Sequence, residues 1–146
     1  MSMQARVQLC ERLVFTAPTQ RTDLLDFNLT NTDLIALLQT ATDHGEVLGI
    51  TAVRTDHSDD SALGFYCHAH GFCADLWPMN SRTPGDWMDA NDPRFAQWLQ
   101  RVAASLYLHQ IGLAGTAWTQ ANVDAAGPTV FHDDGADHVH LSADGG

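Results

Sequence analysis

Two short segments of this chain carry side chains in patterns that suit metal chemistry. They are His68-Ala69-His70-Gly71-Phe72-Cys73-Ala74-Asp75 and, much later, Asp137-His138-Val139-His140. A zinc site that acts on a substrate needs about three protein ligands from His, Asp, Glu or Cys, with one position left open. His68 and Asp75 can supply two of them if the chain turns between them, and Gly71 stands where such a turn wants a residue without a Cβ. His140 can supply the third from a neighbouring strand. In extended backbone His138 and His140 share a face while Asp137 points to the other, so Asp137 reaches the same site only from a strand end or a bulge.

Other readings compete with these. The chain has eight His. His44, His57 and His109 are read as surface or ordinary core residues, and His70 as solvent-facing or supporting. Asp133 and Asp134, in the same acidic run, are rivals to Asp137. Cys67 and Cys73 flank His68, and a thiolate site using them with His70 is conceivable, although the spacing is not that of a zinc ribbon or knuckle. The three cysteines form neither an even framework nor a CxxC pair, so reduced thiols are expected.

The elements that must position these groups are partly legible. Asn31 or Thr32 can cap a helix in which Leu34, Ile35, Leu37, Leu38 and Ala41 recur at helical spacing, with Gly45 as a stop. Val47 to Arg54 is short, apolar and β-branched, as a strand would be. After a polar loop, residues 65 to 77 read as a strand and turn. A second helix starts at Asn91 or Asp92 with Pro93 in its first turn, and Phe95, Trp98, Leu99, Val102 and Leu106 make its buried stripe. Short strands are expected at Thr116 to Thr119 and Asp137 to Ser142, whereas the first thirty residues are ambiguous. Helices among short strands, joined by loops too short for repeated crossover helices, predict an α+β domain over 1–146 with a small antiparallel sheet and helices packed on it.

The pattern HxxGxxxD followed by (D/E)xxH resembles the zinc peptidases of the Hedgehog/D,D-peptidase fold. That group includes D-alanyl-D-alanine carboxypeptidases and phage L-alanyl-D-glutamate endolysins. The resemblance runs over residues about 33 to 142. It implies that His68, Asp75 and His140 hold Zn2+ and that Asp137 is the general base. It also implies that Arg54, in Thr51-Ala52-Val53-Arg54, answers to the family's upstream Ser-Gly-x-Arg element and steadies the oxyanion. His138 would orient Asp137 or hydrogen-bond the reacting group. Tyr66 and Cys73 stand where the family often has Ser and Ala. Tyr66 and Trp118 are the candidates for substrate contact; Trp77, Trp87 and Trp118 can line a groove or equally belong to the core, and Trp98 is core. The rival reading of Arg54 is a surface residue paired with Asp56 or Asp59.

The activity so implied is cleavage of peptidoglycan stem peptides by a phage- or prophage-derived enzyme. Two other functions stay open: a non-catalytic module of a phage particle that keeps the fold, and a cytosolic D,D-dipeptidase. Composition narrows the partners. The 146 residues carry 18 acidic against 7 basic side chains, all of the latter Arg, for a net charge of -11. A nucleic-acid backbone would be repelled, so no nucleic-acid partner is expected. No apolar run reaches the length of a membrane span. The opening MSMQARVQLC lacks the apolar core of a signal peptide, so synthesis in the cytoplasm is expected, followed by release or carriage on a virion. The sequence sets no oligomeric state.

Overall fold

A computed structural model describes residues 2–57, 67–113, 130–133 and 138–143, with backbone alone for 113 and 130–133. Tyr66, Trp118, Asp134, Asp137 and the strand expected over 116–119 lie outside these residues.

The chain opens with two short helices around a short strand: α1 (Met3–Cys10), β1 (Leu13–Phe15) and α2 (Pro18–Leu25). Helix α3 (Thr32–Ala41) begins where Asn31 Oδ1 accepts the Asp33 amide, and it buries Leu34, Ile35, Leu37, Leu38 and Ala41. Helix α4 (Pro93–Ala103) is capped by Asp92, with proline in its first turn, and buries Phe95, Trp98, Leu99 and Val102. Ala104 ends it, so Leu106, expected on the buried stripe, lies beyond the helix and is 99% exposed.

The strands β2 (Val47–Ala52), β3 (Cys73–Met79), β4 (Gln110–Leu113), β5 (Val130–Asp133) and β6 (Val139–Ser142) complete one sheet in the order β1-β2-β3-β6-β4-β5. The class is α+β, as expected, but the sheet is mixed rather than antiparallel. The β2–β3, β3–β6 and β6–β4 pairs are antiparallel, while both edge pairs, β1–β2 and β4–β5, are parallel. The connections β1–α2–α3–β2 and 114–129 are each long enough to return a strand in the same direction, a length that hairpin-minded reading overlooks.

Strand alternation then sorts the side chains. Leu48 and Ile50 of β2, Ala74 and Leu76 of β3, Ile111 of β4 and Val139 and Leu141 of β6 join the α3 and α4 apolar residues in one core. Cys73, Asp75, His140 and Ser142 fall on the opposite face. Trp98 is core as expected, its indole N–H donating to the Ala41 carbonyl. Trp77 packs against the core as well, whereas Trp87 is 37% exposed. Trp77 donates to the Met88 carbonyl and packs against Phe95, and Trp87 lies over Gly49, whose missing side chain makes the room.

Candidate metal centre

The central β3 strand puts Asp75 between two partners, opposite Ala52 of β2 and opposite His140 of β6. A turn over residues 67–71 precedes β3. Gly71 adopts φ +76°, and the Phe72 amide returns to the Cys67 carbonyl at 3.0 Å. This brings His68 back over Asp75.

Three atoms converge there. His68 Nε2 lies 3.4 Å from Asp75 Oδ1, His140 Nδ1 lies 3.0 Å from the same oxygen, and the two imidazole nitrogens are 3.3 Å apart. Ligands about 2.0–2.2 Å from a tetrahedral zinc stand about 3.3–3.6 Å from one another, so two edges of the triangle match a tetrahedral face and the third, at 3.0 Å, is a few tenths of an ångström shorter. The donor chemistry fits as well. The Val53 carbonyl can only accept, so His68 carries its proton on Nδ1, which donates to Val53, and turns the lone pair of Nε2 towards Asp75 and His140. Burial pushes the Asp75 carboxyl up, but hydrogen bonds and charge from His140 and His68 outweigh it and hold the group well below the usual carboxylate range. The three residues expected as metal ligands are thus brought together. The three side chains are nearly buried, with exposures of 3%, 6% and 11% for His68, Asp75 and His140.

Two further imidazoles border the cluster. His138 Nε2 is 3.8 Å from Asp75 Oδ1, on the same side as His140. His57 stacks on His68 with ring centroids 3.6 Å apart, and its Nε2 lies 3.4 Å from Asp75 Oδ2. His57 is therefore part of the site and not the ordinary surface or core residue that its isolated place in a polar loop suggests. By engaging Oδ2 it leaves Oδ1 as the oxygen facing His68 and His140. The site opens towards solvent at these two residues, His57 being 29% and His138 17% exposed. His44 and His109 are exposed, as is His70.

The loop that carries His57 is anchored by carboxylates. Asp23 of α2 accepts the Arg54 amide at 3.1 Å, the Thr55 amide at 2.7 Å and the Thr55 hydroxyl at 2.6 Å. Asp56 accepts the Val53 amide and the Gln20 side chain. Asp23→Ala strands three donors, so it should lower the unfolding free energy by about 1–3 kcal/mol, measured by urea denaturation. Arg54 lies against the α2–α3 connection, and Asp59, one of the two partners weighed for it, lies outside the described residues. Its guanidinium donates to the carbonyls of Leu29 at 2.8 Å and Asn28 at 3.2 Å rather than to Asp56, while Asp56 is engaged with Val53 and Gln20.

The cysteines overturn one expectation. Cys67 and Cys73 are joined as a disulfide, their Cα atoms 5.4 Å apart, and only Cys10 is a free thiol. The turn at Gly71 creates this proximity, and the spacing of the two cysteines gives no sign of it. Compared with protein-family models, with curated proteins and with solved structures, the chain matches none of them. Among the described residues no helix is long and apolar enough to cross a membrane.

Proposed function

We propose that this protein is a zinc-dependent peptidase that cleaves peptidoglycan stem peptides, of D,D-carboxypeptidase or L-alanyl-D-glutamate endopeptidase type and of phage or prophage origin. The observation that carries the metal half of this reading is the triangle of His68 Nε2, Asp75 Oδ1 and His140 Nδ1 at near-tetrahedral spacing. The peptide half rests on the resemblance of HxxGxxxD and DxxH to that peptidase group.

Zinc bound there would supply a Lewis acid that lowers the pKa of a water towards roughly 7 and polarises a peptide carbonyl. The chain's own residues do the rest. Val53 fixes the His68 ring, and His57 holds the far oxygen of Asp75. Asp137, by its place in the motif, takes the proton of the attacking water and returns it to the leaving amine. His138, partly exposed beside Asp75, is placed to orient that carboxylate or to donate to the substrate oxygen. Tyr66 and Trp118 are proposed to contact the peptide.

A second reading, a non-catalytic module that keeps the fold, is favoured by one observation: Arg54 engages its guanidinium with the backbone carbonyls of Asn28 and Leu29. One comparison decides between the two. The zinc-loaded protein should release new amino groups from purified peptidoglycan or terminal D-Ala from a stem peptide. Asp137→Ala should keep its zinc and lose hydrolysis by about 10²–10⁴-fold. Absence of release by the zinc-loaded wild type sinks the peptidase reading. Cleavage of free D-Ala-D-Ala with intact wall untouched would point to a dipeptidase.

A further inference from the structure

The metal ligand His140 has a second nitrogen, and it faces sulfur. Cys73 Sγ lies 3.3 Å from His140 Nε2, and the Cys67, Cys73 and His140 donor atoms all stand within 4.8 Å of one another. Ser142 Oγ lies 3.2 Å from Cys67 Sγ, on the same face of the sheet. All four residues are buried. Two sulfurs and an imidazole are a soft donor set of the kind that zinc and cadmium take.

We propose that reduction of the Cys67–Cys73 disulfide creates a second metal site, built from Cys67 Sγ, Cys73 Sγ and His140 Nε2, which excludes occupation of the first. The step balances with a dithiol or phosphine as reductant. Two electrons break the S–S bond, two protons complete the thiols, and the reductant leaves as a disulfide or, with water's oxygen, as a phosphine oxide. A divalent ion then displaces the two thiol protons to the buffer. Exclusion follows from the imidazole itself, because a neutral ring offers one lone pair. With a metal on Nδ1, the proton sits on Nε2. With a metal on Nε2, the proton sits on Nδ1 and donates to Asp75 Oδ1, 3.0 Å away. That carboxylate–imidazole–metal arrangement is the one that fixes a ligating ring and raises its basicity. Asp75 thus serves as ligand in one state and as orienting acceptor in the other. The site needs no peptidase activity. Of its three donor residues only His140 also belongs to the centre described above, and Asp75 changes role between the two.

Cadmium added to the full chain tests this, because thiolate coordination gives an ultraviolet charge-transfer band that imidazole and carboxylate coordination do not. After treatment with a phosphine and its removal, the wild type should take up one equivalent of Cd2+ with that band, and the oxidised chain should show none. Cys73→Ser and His140→Ala should lose the band, while His68→Ala, which damages the other site, should keep it. Persistence of the undiminished band in Cys73→Ser would show that the ion does not need both thiols and overturn the proposal, as would its absence from reduced, folded wild type. A readout without variants guards against misfolding: bound Cd2+ should slow alkylation of Cys67 and Cys73 at least tenfold, and equal rates with and without the ion would refute the site. Wild type that shows the band yet cleaves no peptide leaves this inference standing and removes only the peptidase reading.

Discussion

His68→Ala is expected to bind zinc more than about 100-fold more weakly than the wild type and to have no hydrolytic activity, measured by competition with a chromophoric chelator on the oxidised protein. Loss of an outer-shell partner already costs 10–100-fold in metal affinity, so removal of a ligand atom must exceed that. His68 contributes twice, through Nε2 in the triangle and through the Nδ1 bond to Val53 that ties the ligand turn to the end of β2. His57→Ala provides the graded comparison. It removes a contact to Asp75 Oδ2 and the ring stacked on His68 while leaving the three donor atoms in place, and should weaken zinc by 10–100-fold. Equal affinities in wild type and His68→Ala would mean that the three donors do not share an ion.

Gly71→Ala should be the most damaging small substitution in the turn over residues 67–71, at about 2–5 kcal/mol by denaturant titration. Two costs add. The residue sits at φ +76°, where a side chain costs roughly 1–2 kcal/mol. A Cβ there would also stand 2.3 Å from the Leu29 carbonyl oxygen and 2.9 Å from Thr30 Cα, backbone atoms that cannot swing aside. Overpacking of this kind typically costs a further 1–3 kcal/mol. The turn is pressed on the α2–α3 connection, where the Asn31 amide donates to the Gly71 carbonyl at 2.8 Å, so relief would push His68 away from Asp75. Zinc affinity should therefore fall together with stability. By contrast, Gly45→Ala, where a Cβ meets nothing within 4 Å, carries only the φ cost.

Much of this was legible in the chain. The caps and apolar stripes of α3 and α4 are local signals that place both helix starts to within a residue, while the ends at Ala41 and Ala103 come earlier than Gly45 and Leu106 suggest. Motif order singled out His68, Asp75 and His140, three donors that the fold brings within 3.0–3.4 Å of one another. What escaped depends on contacts between distant segments. Strand direction at the edges is not written in three- or four-residue strands. Helix α1 hides its inward face because that face includes Arg6. This buried guanidinium donates to the Leu24 and Thr30 carbonyls and to the Thr30 hydroxyl, so a charged residue does the work of an apolar one. His57 is a single imidazole in a polar loop, and the grip of Asp23 on Arg54 and Thr55 and of Asp56 on Val53 and Gln20 delivers it to Asp75. The disulfide depends on a turn whose geometry one glycine allows.

Strand β6 occupies a place with mechanical meaning. It alone among the described strands joins the β1-β2-β3 half of the sheet to the β4-β5 half, and it also carries His140. A cation clamped between His68, Asp75 and His140 would therefore rivet the two halves together. Bound at a hundred times its dissociation constant, it would add about 2.7 kcal/mol against unfolding. Stripped of it by a chelator, the molecule should part first along the β3–β6 seam, with the amides of 139–142 exchanging their hydrogens ahead of those of β2.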